Sequence, residues 1–133
     1  MAAEGLITRE SRFTAALTLA RLEDEIGARG MTVFARIDHA AGAAKVGLRL
    51  GPTTVVIFGN ARTGTPLMQA NQAVGIDLPL NALVFEDEAG KVWLACNDPR
   101  WVAARHGLGA SFGKIVDAMA AVLDAVAKKA TAD

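Results

Sequence analysis

Residues 53–71 read TTVVIFGNARTGTPLMQAN. The run Thr53, Thr54, Val55, Val56, Ile57, Phe58 is β-branched and apolar without polar alternation, the pattern of a strand covered on both faces. It stops at Gly59. Asn60-Ala61-Arg62-Thr63-Gly64 follows as a loop, and Thr65 with Pro66 then carries the signature of a helix start, an N-cap hydroxyl followed by proline at the first helical position. Strand, glycine loop and helix start form a corner that presents backbone N–H groups to an anion. The same layout serves any tight strand-to-helix turn in which Gly59 and Gly64 take positive φ.

Outward from this corner, the chain reads as one domain over residues 1–133. It has 133 residues, 52% hydrophobic and 21% charged, enough for one core. Fourteen basic side chains balance fourteen acidic ones, which leaves no net field to draw nucleic acid or anionic lipid. The absence of tyrosine and the presence of two tryptophans argue against an aromatic platform for single strands. The first residues, MAAEGLITRES, show neither a basic nor an apolar signal region. No apolar run approaches the roughly 18 residues of a membrane span. A cytoplasmic bacterial protein with no nucleic-acid or membrane partner is the expectation.

The other elements follow from periodicity. Gly5–Glu10 reads as a first strand. Ser11 is placed to cap a helix in which Phe13, Ala16, Leu17, Ala20, Leu19, Leu22 and Ile26 form the apolar face, with Gly30 as its stop. Met31–Ile37 alternates as a strand, and Asp38 caps a short alanine-rich helix over Ala40–Val46. Leu48–Pro52 connects to the strand of the opening stretch. After Pro66 one or two helical turns run to Gly75, and Ile76–Pro79 is extended. Asn81–Glu86 and Lys91–Cys96 flank Asp87–Gly90 as a hairpin. Asp98-Pro99 starts a short helix that ends at His106-Gly107. Ser111 is placed as cap of a final helix with the stripe Phe112, Ile115, Val116, Met119, Val122, Leu123 and Val126; Lys128, Lys129 and the last residues are expected to fray.

The segments TTVVIFGNARTGTPLMQAN and IDLPLNALVFEDEAGKVWLACNDP together resemble the bacterial family known as domain of unknown function 302. The likeness runs from about Gly5 to Gly107 and is most specific at FGN…GTPLM; Ala61 stands where that family often has proline. The resemblance implies a single-copy TATA-binding-protein-like fold, β-α-β(4)-α with extra short helices, a dimer, and no established activity. The periodicities agree. Both lead to a two-layer α+β fold, a curved, mainly antiparallel sheet of about five strands with two long helices on one face.

Gly59-x4-Gly64-Thr65 has the glycine spacing of a phosphate-binding loop, yet Thr65-Pro66 stands where that motif has its lysine and hydroxyl, so nucleotide hydrolysis is not expected. In an antiparallel meander the ends of the third and fifth strands and the approach to the fourth share one end of the sheet. That arrangement gathers a candidate ligand site from Gly59, Asn60, Arg62, Gly64, Thr65, Asp77, Asn97 and Asp98, with His106 able to fold back towards it. Each of these residues also has a structural explanation, Asp98 as a cap and Asn60 as a turn residue. Asp38-His39 falls at the opposite end. With one cysteine and two separated histidines, no metal site is expected within one subunit.

Three functions fit these residues. The first is a dimeric module binding a small anionic or polar ligand at Gly59–Thr65. The second is an enzyme using Cys96 or His106 with Asp98 in the same pocket. The third is an interaction protein whose exposed sheet face makes the dimer. No cofactor is identified by any motif.

Overall fold

The computed structural model describes residues 3–133. Its strands are β1 (Leu6–Ser11), β2 (Thr32–Asp38), β3 (Thr53–Gly59), β4 (Leu80–Glu86) and β5 (Val92–Asn97). Its helices are α1 (Ala15–Ala28), α2 (His39–Lys45), α3 (Ala61–Ala70), α4 (Pro99–Arg105) and α5 (Gly113–Thr131), with 3₁₀ turns at Gln72–Ile76 and Ala110–Phe112. All five strands join one antiparallel sheet in the order β1-β5-β4-β3-β2. Strands two to five thus form the expected meander, and β1 returns to pair with β5. The fold is α+β.

Alternate residues of the three central strands face the long helices. Val56 and Phe58 from β3, Ala82 and Val84 from β4, and Val92, Leu94 and Cys96 from β5 pack against Leu22 and Ile26 of α1 and Leu123, Val126, Ala127 and Ala130 of α5. The expectation that both faces of β3 are covered is therefore corrected. Val55 and Ile57 point the other way and stay half-buried, beside Leu83 of β4 and Ala35 and Ile37 of β2. A run of unbroken hydrophobicity here serves one sealed face and one apolar open face.

Several boundaries differ from the periodic reading. Ser11 ends β1 rather than capping α1; its hydroxyl lies 2.6 Å from the buried Thr18 hydroxyl, and Thr14 takes the cap by accepting from Leu17 N. The buried stripe of α1 is accordingly Thr18, Leu22 and Ile26, which leaves Leu17 46% exposed. Ser111 lies within the 3₁₀ turn, and α5 begins at Gly113 without a side-chain cap. The end of α5 does not fray. Arg21 of α1 donates to the carbonyl oxygens of Lys129 (3.0 and 2.7 Å) and Ala132 (3.0 Å), satisfying terminal acceptors, while Ala130 and Thr131 are buried. At the other terminus Gly5, with φ of 76°, passes under the Trp101 indole and its carbonyl accepts from Asp98 N at 2.8 Å.

Candidate functional site

The opening corner is built differently from a glycine loop. Asn60, not Thr65, is the cap: its side-chain oxygen accepts from Arg62 N at 2.9 Å, and residues 61–64 are already the first turn of α3. Competition between two capping sites is settled by β3 itself, which delivers Asn60 in extended geometry directly at the end of the strand (φ −138°, ψ 121°). Pro66 then sits inside the helix, where it removes the N–H that the Arg62 carbonyl would accept. Neither Gly59 nor Gly64 has positive φ. At Gly59 space is tight rather than φ unusual, since a side chain there would start 3.3 Å from Pro79 Cβ.

What the corner does form is a wall. A cavity of about 370 Å³ lies between the end of β3, α3, the start of β4 and the middle of α5. Gly59, Asn60, Thr63, Gly64, Thr65 and Met68 line one side, Leu78, Pro79 and Leu80 a second, and Met119 with Val122 a third. Met31 and Phe34 of the β2 side complete it, with Arg29 at the end of α1 as its one charged lining residue. Three of the four methionines in the chain meet here. Their side chains are unbranched and polarizable, suited to filling irregular apolar space.

The expected site residues separate into three groups. Gly59, Asn60, Gly64 and Thr65 line this cavity. Asp77 and Asn97 line a much smaller one, of about 20 Å³, which shares Leu78, Leu80 and Met119 with the first. Arg62 and Asp98 line neither; Arg62 is exposed, and Asp98 caps α4 by accepting from Arg100 N at 2.9 Å. The expected end of the sheet is therefore shared, but it is not one pocket.

His106 does fold back, onto Asp77. Its Nε2 stands 2.5 Å from Asp77 Oδ2, and Arg105 Nη1 donates to both oxygens of the same carboxylate at 3.0 and 2.8 Å. Asn71 Nδ2 donates to the His106 carbonyl at 2.9 Å, tying the end of α3 to the end of α4. Asp77 and His106 side chains are 13% and 10% exposed, so their contact is mostly desolvated, while Arg105 reaches it from a half-exposed position. The stretch Gln72–Ile76, expected in part as extended chain, is wound as a 3₁₀ turn that delivers Asp77 to it.

Cys96 lies on the sealed face of the sheet, and burial, reinforced by the negative charges of Asp98 and Asp124, pushes its thiol up to about 11. A thiol held protonated under two helices is a structural hydrophobe rather than a nucleophile. His106 answers to Asp77, Asp98 to the backbone of α4, and Cys96 to the core, so the Cys96/His106/Asp98 set has no common focus. Asp38 Oδ1 caps α2 by accepting from Ala41 N at 2.9 Å, and His39 is exposed at the start of that helix. Among the described residues no group of three His, Cys, Asp or Glu side chains is placed to hold a metal ion.

Sequence reasoning missed most of the cavity lining. Met119 and Val122 were absorbed into the α5 stripe. Simple alternation along Met31–Ile37 would put Phe34 on the face opposite Met31, whereas an irregularity between Val33 and Ala35 shifts the register and places its Cε2 3.9 Å from where a side chain at Gly59 would start. The convergence of three methionines from distant segments is visible only in three dimensions.

The chain is 48% identical over 129 residues to the "Fluoride-specific ion channel FluC 1" of Brucella suis biovar 1, an alignment that covers 97% of this chain and 51% of that protein. The protein of the same name from Brucella abortus biovar 1 is also 48% identical, with 97% of this chain and 48% of that one covered. The chain thus spans about half the length of the curated relatives it matches. No helix among the described residues is long and apolar enough to cross a membrane. A crystal structure of an uncharacterized conserved DUF302 protein from Bacillus stearothermophilus superposes with a TM-score of 0.85 at 18% identity, covering 96% of this chain and 99% of that one, which carries the fold alone. The model of the family described as "Domain of unknown function DUF302" matches residues 7–126, and the chain belongs to that family.

Proposed function

We propose that this protein is a small-ligand-binding module whose site is the cavity walled by the Asn60–Met68 segment. The observation that carries this reading is the cavity itself, about 370 Å³ and lined mainly by Met, Leu, Phe, Val and Pro with a few polar groups at one side, the composition of ligand pockets in general. A purely inorganic anion is the weaker guest. Arg62 N already donates to the Asn60 side chain, and Thr63 N and Gly64 N donate to the Asn60 carbonyl. Three donors of that turn are thus taken, while the remaining wall is apolar.

Thermal unfolding with an apolar guest tests it. Decanol is expected to raise the melting temperature of the wild type and not of a Met119→Trp variant that fills the cavity, whereas phosphate leaves both unchanged. A guest at a hundred times its dissociation constant contributes about 2.7 kcal/mol. No rise with decanol would remove the reading.

The module works as a homodimer in this proposal, with single-copy TATA-binding-protein-like architecture. Ile37 is 44% exposed on the open sheet face, beside half-buried Val55, Ile57, Leu83 and Phe85, and a second copy is what would cover such a row. Sedimentation of Ile37→Lys against wild type tests the association. The relatives' name suggests a second role, as the part of a longer channel protein that does not conduct. If the domain itself held fluoride, sodium fluoride would raise its melting temperature more than sodium chloride; the apolar lining argues for equal curves.

A further inference from the structure

We propose that the cavity takes an amphipathic monocarboxylate, with its apolar body against Met31, Met68 and Met119 and its carboxylate at Arg29. The inference rests on the ligand-binding reading above and adds the head group. Size sets the body: at about 30 Å³ per non-hydrogen atom, the share of a water molecule in the liquid, 370 Å³ holds roughly a dozen atoms.

Charge sets the head. Among the lining residues Arg29 is the one ionised side chain and no carboxylate is present. The polar neighbours are Asn60, the cap of α3, with Thr63 and Thr65 in its first half, none of them charged. Arg29 is not locked away from a guest. Its partner is Glu25, one turn back on α1 at 3.6 Å, and side-chain exposures of 36% and 24% make that pair one that water already competes for. A guanidinium matches a carboxylate in two parallel hydrogen bonds, which a single ammonium or an alcohol cannot reproduce.

Chain length held constant isolates the head group. Decanoate, decanol and decyltrimethylammonium, each below its micellar concentration, are titrated into the wild type, Arg29→Gln and Met119→Trp, and followed by calorimetry and melting temperature. Decanoate is expected to bind wild type about tenfold more tightly than decanol, the factor one charge-assisted hydrogen bond carries. Arg29→Gln should erase that difference without weakening decanol, and Met119→Trp should abolish both. Equal binding of decanoate and decanol would overturn the head-group assignment and leave the ligand-binding reading standing. Tighter binding of the ammonium would do the same. Binding of none, in a wild type with an ordinary cooperative melt, would overturn both.

Discussion

Replacing Gly64 by alanine should make the protein more stable. Gly64 lies in the interior of α3 without positive φ, and a Cβ there would sit 3.8 Å from Met68 Cε and 3.9 Å from Leu78 Cδ1, ordinary contact distances. The substitution therefore gains the helix preference of alanine over glycine, about 0.5–1 kcal/mol, with no compensating clash. For a chain of 133 residues the unfolding entropy turns 1 kcal/mol into a rise of roughly 3–4 °C. Differential scanning calorimetry and urea midpoints read it directly. Gly42→Ala, inside α2 with nothing within 4 Å of its added carbon, is the matched control and should move the same way. A glycine loop makes the opposite prediction, since alanine forced to positive φ costs about 1–2 kcal/mol. A fall in melting temperature for Gly64→Ala with a rise for Gly42→Ala would refute the helical reading of the corner. The same methyl group narrows the cavity, so decanol binding should weaken as stability increases.

Gly5→Ala should destabilise by at least about 2 kcal/mol in urea unfolding, because the backbone strain at φ 76° adds to a Cβ placed 2.4 Å from the Trp101 ring. Asp77→Ala should lower stability by about 1.5–3 kcal/mol by leaving His106 and Arg105 without their shared acceptor, and a double-mutant cycle with His106→Ala should show coupling above about 0.5 kcal/mol. The raised Cys96 thiol stabilises the fold fully below its ordinary range, and that contribution is lost as pH rises towards about 11. Wild type should therefore lose about 2–3 kcal/mol more across that interval than Cys96→Ala in urea titrations at stepped pH.

Local patterns carried most of the fold. The β4–β5 hairpin was legible because Asp87–Gly90 sits between two apolar runs, and α5 because Val116, Met119, Leu123 and Val126 keep helical spacing across about three turns. Two lessons come from the places where local rules competed. Thr65 reads as the cap and Asn60 as a turn residue, and only the direction in which β3 ends gives the cap to Asn60. Ser11 likewise reads as a cap, and its buried contact with Thr18 leaves that role to Thr14. The C-terminal turn was illegible for another reason: Arg21, which satisfies the carbonyl oxygens of Lys129 and Ala132, is more than a hundred residues away. For the site, the shared end of the sheet and the return of His106 followed from topology. The cavity did not, since it depends on a strand irregularity at Phe34 and on side-chain volumes from four separate segments.

Leu78 forms part of the wall of both cavities, and the residue before it, Asp77, holds the His106 imidazole. A guest that displaces Leu78 outward is thus felt one peptide bond away, in the geometry of a short, desolvated contact. This makes His106 a resident probe of occupancy: its ring resonances should respond to filling of the cavity although no guest touches it.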